Sequence, residues 1–403
     1  MPKDLSRVKT IVIAMMENRS FDHLLGYLGL PDSGHPQQSR IEGIQHALTY
    51  YAHDAFQPVP LRDLTIDPDP PHERENIEIQ INAPSGRMKG FVESYRPTFE
   101  KHSDAPNARL TGVMEYCLAK HIPVTDFLAR KFAICDEWFS CIPASTLPNR
   151  MMATSGYTLV DHTPTGYLQE IGNIFRNNPQ DMVYDWLDRK GVSWRIYYSG
   201  TFFFMSMPRL LGMYERSIQN PGQFRPIEEL LGDFQRGDVT QVVFVEPRYQ
   251  DDPRRGTVQA TDDHPPASLA GGQRFLKIWY EALKSAWDGL VAIMTYDEHG
   301  SFFDHVPPRP MVTNAPPNAN YTTGFTTTGV RVPAIVVSPF VESGSLHEGV
   351  MDHTSILKFL GDKFNQGRYS EHVDPRPVGS VSDVLNDSLL DPGAAISTAP
   401  DMD

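Results

Sequence analysis

The chain has 403 residues with 36 Lys and Arg against 50 Asp and Glu, a formal charge of −14. That balance argues against nucleic acid as a partner, because neutralising a phosphate backbone needs clustered positive charge, and against tight electrostatic binding to anionic membranes. Apolar, aromatic and charged fractions are those of a globular protein, and 34 prolines favour many ordered loops over a helical bundle.

Residues 8–16, VKTIVIAMM, form a short apolar run rich in β-branched side chains, which reads as a buried central strand. The polar segment ENRSFDH follows at once, and residues 24–27 begin a short helix. From about 31 to 100 the chain is rich in Pro, Asp and His with weak periodicity, a long loop or insertion that can cover a site. Residues 109–134 read as helical, and 138–142 as a strand leading into PASTLPNR. Further strands are expected at 193–198, 241–245, 290–295 and 334–337, and helices at 182–190, 272–286 and 354–364. Strands alternating with helices predict an α/β fold with a mainly parallel central sheet and helices on both faces. The segment 366–403 reads as a loop-rich tail.

Three cysteines, Cys117, Cys135 and Cys141, provide neither a disulfide framework nor a CxxC metal site; free buried thiols are expected, with a Cys135 to Cys141 bridge as the alternative. No apolar run reaches eighteen residues, so no transmembrane segment is expected and membrane contact would be transient at most. The N-terminus shows no secretory pattern, which makes the cytoplasm the default compartment, with non-classical export as the alternative. Nothing in the sequence sets an oligomeric state.

Two strand ends carry chemistry. The first empties into Glu17 and Asn18, the second into Asp297, Glu298, His299 and Gly300. Carboxyl ends of parallel strands are where open α/β sheets bind ligands. Three carboxylates and an amide oxygen converging there would repel one another without a cation. Hard oxygen ligands suit Mg, Ca or Mn, and Zn if an imidazole joins. The competing reading is that each acidic pair caps a loop. A hydroxyl nucleophile is sought in Ser145-Thr146-Leu147-Pro148, where a metal can lower a hydroxyl pKa. Arg150 can offset phosphoryl charge, and Asn149 can donate to its oxygens; alternatively the Ser and Thr merely cap a turn. Five histidines in polar surroundings, His72, His264, His299, His305 and His353, are acid–base or charge-stabilising candidates, and Asp304 and Asp352 precede two of them. For Asp352 the alternative is an N-cap of the helix starting at residue 354.

Taken together, ENRSFDHLLG (17–26), TLPNR (146–150), DEHGSFFDHVPP (297–308), VVSPFVESG (336–344) and DHTSILKFL (352–360) resemble, in this order, the phosphoesterase family of bacterial and plant non-specific phospholipases C and acid phosphatases, within the alkaline phosphatase-like superfamily. The resemblance covers residue 8 to about 365 and implies one catalytic domain over 1–365. It implies Glu17, Asn18, Asp297 and Glu298 as ligands of one or more divalent ions (Ca, Mg, Mn or Zn), and Thr146 as a nucleophile that also touches the metal. It places His264 and, less directly, His72 beside the transferred phosphate, and His299, Asp304, His305 and His353 near the site. Ser301 departs from the second glycine of DEHGG. Residues 163–263 lack the histidines that the acid phosphatase branch uses. The resemblance therefore implies phosphoester hydrolysis through a phospho-threonine, with a phospholipid or a small phosphoester as substrate. The expectation is phospholipase C-like diester cleavage. The alternatives are a phosphomonoesterase and, from another class, a non-catalytic metal-stabilised binding protein.

Overall fold

The heptapeptide TIVIAMM offers one polar side chain, and such a segment is stable only when both of its faces are covered. It is β1 (Thr10–Met16) of an eight-stranded sheet in the computed structural model, which describes residues 3–163, 180–200, 213–252, 256–386 and 398–400. The other strands are β2 (Ala133–Cys135), β3 (Trp194–Tyr198), β4 (Phe224–Pro226), β5 (Val242–Glu246), β6 (Leu290–Tyr296), β7 (Ala334–Val337) and β8 (Leu346–His347). Their spatial order is β8-β2-β7-β6-β1-β5-β3-β4. β1 pairs parallel with both β6 and β5, with Met16 opposite Tyr296 and Ala14 opposite Val245. β3 and β4 continue the parallel set, whereas β7 runs antiparallel to β6 and β2. The expected α/β fold with a mainly parallel sheet is the observed one.

All seven residues of β6 and all five of β5 are buried. Because successive side chains point to opposite faces, both faces are covered. On one face Ile13, Met15, Phe244 and Glu246 meet α1 (Thr146–Ser155), the helix Val183–Arg189 and α3 (Thr354–Phe364) around a small cavity. Helices Pro123–Lys131, Leu230–Arg236 and α2 (Leu269–Leu283) pack together as a second group.

The structure corrects three expectations. The segment 31–100 is not a bare loop but holds helices Ile44–Tyr50, Arg74–Ile81 and Phe91–Lys101. Each is short and buries only a few side chains, such as Ile77 and Ile81 or Phe91 and Tyr95, too few to print a helical period on the sequence. In 109–134 only the second half is α-helical; Pro123 sits at its first turn, where a missing N–H is harmless. The strand expected at 138–142 shortens to Trp138–Phe139, paired parallel with Met351–Asp352. All three cysteines are buried and free. Among the described residues no helix is long and apolar enough to cross a membrane.

The N-cap of α3 is His353, not Asp352, yet Asp352 fastens the first turn from the residue before it. Asp352 Oδ1 accepts from the Thr354 N–H at 2.8 Å, and Oδ2 pairs with Arg376 Nη2 at 2.6 Å, both residues being buried. Burial pushes the Asp352 carboxyl up, but Arg376 and the Thr354 hydroxyl outweigh it and hold it below its ordinary 3.8. A depressed carboxyl stabilises the fold above its unfolded pKa, and that contribution is lost as pH falls through the folded value. Asp352→Asn should therefore lower stability at pH 7 by about 3–5 kcal/mol, with the gap to the native chain closing below pH ~4. Urea unfolding at several pH values checks this; a deficit independent of pH would refute it.

Candidate active site

Parallel pairing of β1 with β6 and β5 brings three carboxyl ends to one rim. The ladder continues past the strands: the Asp297 N–H donates to Met16 O at 3.1 Å, the Arg19 N–H to Glu298 O at 3.1 Å, and the Glu17 N–H to Asp262 O at 2.8 Å. Glu17 and Asn18 thus stand directly beside Asp297 and Glu298. Asn18 sits in the left-handed region (φ +61°), as does Gly300 (φ +60°). A Cβ on Gly300 would come within 2.4 Å of Asn18 O, so the two loops touch only because residue 300 is glycine. Ser301, also left-handed (φ +63°), offsets that conformation with its hydroxyl, which donates to Pro71 O and accepts from Gln80 Nε2 at 2.6 Å. The departure from a second glycine therefore ties the 71–80 segment to the loop that carries Asp297 and Glu298.

Thr146 is the first residue of α1 and is half-buried, reachable where the acidic residues behind it are not. Its Oγ1 lies 3.5 Å from Asn18 Oδ1. The hydroxyl is thus held at a helix N-terminus rather than at a strand end, with Pro148 inside the first turn. The partial positive charge of that terminus favours an anion there. Ser145, the other hydroxyl of the segment, is buried and engaged by Glu73 Oε2 at 2.7 Å and Thr163 Oγ1 at 3.0 Å.

Two imidazoles flank this point. His72 donates from Nδ1 to Pro70 O at 2.7 Å and turns Nε2 to the Asn18 amide, 3.3 Å away. His264 bridges two carboxylates, with Nδ1 3.0 Å from Glu17 Oε2 and Nε2 3.2 Å from Asp69 Oδ2. A neutral imidazole has one N–H and cannot donate to both, so this geometry holds the charged form. Burial lowers both pKa values, but carboxylates outweigh it: Glu298 and Asp69 carry His72 to about 9, and Asp69 with Glu17 carries His264 well above its ordinary value.

Arg150 does not face the rim. Its guanidinium is buried beneath the carboxylates, 3.1 Å from Glu17 Oε1, 3.3 Å from Asp297 Oδ2 and 3.7 Å from Glu246 Oε2. Asn149 is likewise turned away. Its amide nitrogen donates to Ile142 O, Ala144 O and Ser145 O, and its Oδ1 accepts the Ile142 N–H. These contacts correct the phosphate-binding roles expected of both residues: one offsets the charge of the acidic pairs from below, the other shapes the loop before α1. His353 is also a support, donating from Nε2 to Asp297 O at 2.7 Å and accepting from the Trp138 indole at 3.2 Å. Burial holds it neutral, near 4. His299 contacts Gln80 Oε1 at 2.7 Å, with Nδ1 3.4 Å from Glu298 Oε2. Asp304 and His305 turn instead to Asp22, Arg331 and Glu42.

The acidic cluster is under-neutralised. Burial, then the charge of Glu17, pushes Asp297 up to about 7 and Asp262 well above the carboxylate range. Glu17 is held down, because Arg150 and His264 outweigh its burial. Glu298 Oε2 accepts the Gly300 N–H at 2.8 Å, while Oε1 is buried with no hydrogen-bond partner. The orphaned Glu298 oxygen fits a hard divalent cation, although among the described residues Glu17, Asp297 and Glu298 do not by themselves bring one oxygen each within 4.8 Å of one another. Glu17, Asp262 and His264 also form one of the carboxylate–imidazole groups compact enough to hold an ion, as do Asp69, His72 and His264.

Sequence reading missed Asp69, Asp262 and Glu246. Asp262 stands in DDH and Asp69 in DPDPPH, each within three residues of a histidine that was singled out, and that adjacency was the available signal. Glu246 ends β5 as Glu17 follows β1, but one acidic residue after a strand carries no information by itself.

Known proteins resemble this chain over most of its length. The model of the Phosphoesterase family matches residues 8–366. The chain is 32% identical over 386 residues to non-specific phospholipase C6 of Arabidopsis thaliana, covering 89% of this chain and 68% of that protein. It is 33% identical over 387 residues to non-specific phospholipase C1 of the same plant, covering 89% and 67%. Non-hemolytic phospholipase C of Burkholderia pseudomallei is 28% identical over 408 residues, with 90% of this chain and 56% of that protein covered. Among solved structures, phosphonate monoester hydrolase of Agrobacterium radiobacter aligns over 66% of this chain and 72% of that one, at 13% identity and a TM-score of 0.36.

Proposed function

The chain belongs to the Phosphoesterase family and is a phosphoric-ester hydrolase, and from that premise we propose that it cleaves phosphodiesters of the phospholipid type, with a divalent metal and through a phospho-threonine on Thr146. The observation that carries this reading is the reachable Thr146 hydroxyl, 3.5 Å from Asn18, at a rim where Glu17, Asp297 and Glu298 are buried. A cation held by Glu17, Asn18, Asp297 and Glu298 would lower the hydroxyl pKa and offset phosphoryl charge.

Thr146 Oγ1 attacks phosphorus, its proton passing to solvent, and the bond to the leaving alcohol breaks. His72, whose Nε2 lies 3.3 Å from the Asn18 amide nitrogen beside Thr146, gives that alcohol its proton when it carries its charged form. His264, fixed between Glu17 and Asp69, keeps its charge and stabilises the transferring oxygens. Water then attacks the phospho-threonine, restoring the hydroxyl and releasing the phosphorylated headgroup.

A diester fits better than a monoester because Arg150, the cation of the TLPNR segment, is committed beneath Glu17, Asp297 and Glu246. A diester brings one negative charge to this acidic rim, a monoester up to two. The expected result is a higher kcat/KM on p-nitrophenylphosphorylcholine than on p-nitrophenyl phosphate. The reverse order would make the protein a phosphomonoesterase.

A further inference from the structure

Apart from the Thr146 rim, a second constellation joins the helix Ile44–Tyr50 to the FDHVPP segment. Glu42 Oε1 lies 2.8 Å from His305 Nε2 and 2.5 Å from His46 Nδ1. One donor atom from each of the three residues lies within 4.8 Å of the other two. The side chains of Glu42 and His46 are 39% and 47% exposed, while that of His305 is 7% exposed, so the group opens to solvent on one side and is anchored on the other.

The anchor has the form that metal-binding histidines take. His305 Nδ1 is 2.6 Å from Asp22 Oδ2, which fixes the ring and leaves Nε2 toward Glu42 and His46. Asp22 is itself held by Arg331 at 3.2 Å, and Arg331 reaches Asp304 at 3.0 Å. With carboxylates on both ring nitrogens, His305 must carry either an extra proton or, with Nδ1–H kept on Asp22, a cation at Nε2. The surroundings favour positive charge: the carboxylates of Asp22 and Asp304 share the one guanidinium of Arg331, and Glu42 offers that guanidinium its backbone oxygen, at 2.9 Å, leaving its carboxylate to the two imidazoles. Asp136 adds a fourth carboxylate; its Oδ2 accepts the Glu42 N–H at 3.1 Å, and its Oδ1 is buried with no hydrogen-bond partner.

We propose that Glu42, His46 and His305 form a second divalent-metal site of the two-histidine, one-carboxylate kind, selective for zinc over magnesium or calcium, with water completing the coordination. Two imidazole nitrogens and one oxygen suit zinc, whereas the oxygen-rich Glu17 rim suits a harder ion. The ion would pin the start of the 44–50 helix to the segment after β6. The proposal does not depend on the catalytic reading.

The test titrates zinc chloride into the chelator-treated full chain, alongside His46→Ala and Glu42→Gln, both at solvent-facing positions and outside the hydrolytic machinery. The native chain should bind one more equivalent of zinc than either variant. Zinc should raise its Tm by a few degrees more than it raises theirs, while phosphoester hydrolysis stays within about twofold in His46→Ala. Equal zinc stoichiometry in the native chain and His46→Ala would overturn the proposal, as would a magnesium affinity at this site equal to that for zinc.

Discussion

Thr146→Ala is expected to reduce phosphoester turnover by more than about 10³-fold while leaving the fold and metal binding largely intact. Thr146 is half-buried at the first position of α1, and its side chain touches little beyond Asn18. The helix start does not depend on that hydroxyl, because Asn149 fastens the preceding loop with three donated hydrogen bonds. The loss should therefore fall on kcat, with Tm moving by no more than a few degrees. Thr146→Ser, which keeps the oxygen, should retain measurable turnover. Single-turnover kinetics with denaturing quench and mass spectrometry would place a transient phosphate on Thr146 in the native chain. Near-native kcat in Thr146→Ala would remove the nucleophile from the mechanism.

Asp297→Asn should abolish activity by another route. Asp297 lies among Glu17, Glu298 and Arg150, and Asn18 and Glu298 donate their backbone N–H groups to its Oδ1 at 3.3 and 2.8 Å. An amide still accepts those bonds, so the loops should keep their course. What disappears is a buried negative charge that burial and Glu17 already push up to about 7. In chelator-treated protein the substitution should therefore cost little stability, because it removes repulsion along with one contact of Arg150, whose ion pair with Glu17 remains. With divalent metal added, the native chain should gain stability by mass action, about 2.7 kcal/mol at a hundredfold excess over Kd, and the variant should gain almost none. Thermal melts of both proteins with and without chelator check this. An unchanged metal-dependent rise in Asp297→Asn would show that the acidic rim does not hold the ion.

Much of this was written locally in the chain. TIVIAMM and LVAIMTY are continuous apolar runs of strand length, and each is followed at once by acidic residues; run length and burial on both faces are properties of the segment itself. The α3 helix begins and ends where its own period places it, with Asp352 fastening its first turn from just outside the N-cap. The motifs from ENRSFDH to DHTSILKFL carried the family, and with it the acidic pairs and Thr146. The short helices of the 31–100 segment were not legible, because each buries a few side chains against neighbours that sequence does not reveal.

The directions of side chains belonged to the tertiary structure. Arg150 and Asn149 read as phosphate-binding groups because their chemistry permits it. In the fold, α1 lies along the face of Met15 and Glu246, which turns the guanidinium under the carboxylates and the amide into its own loop. Asp69, far in sequence from His264, became its partner only when the 69–80 segment settled over the rim. Asp304 and His305, adjacent to the metal-ligand motif in sequence, were drawn to Asp22 and Glu42. The sequence by itself determined which strands are buried, where they end and which residue types stand at those ends, since these follow from hydrophobic run length and local chain stiffness. Only the tertiary structure decided which charges face one another, because a charge finds its partner through long-range packing of the elements that carry it.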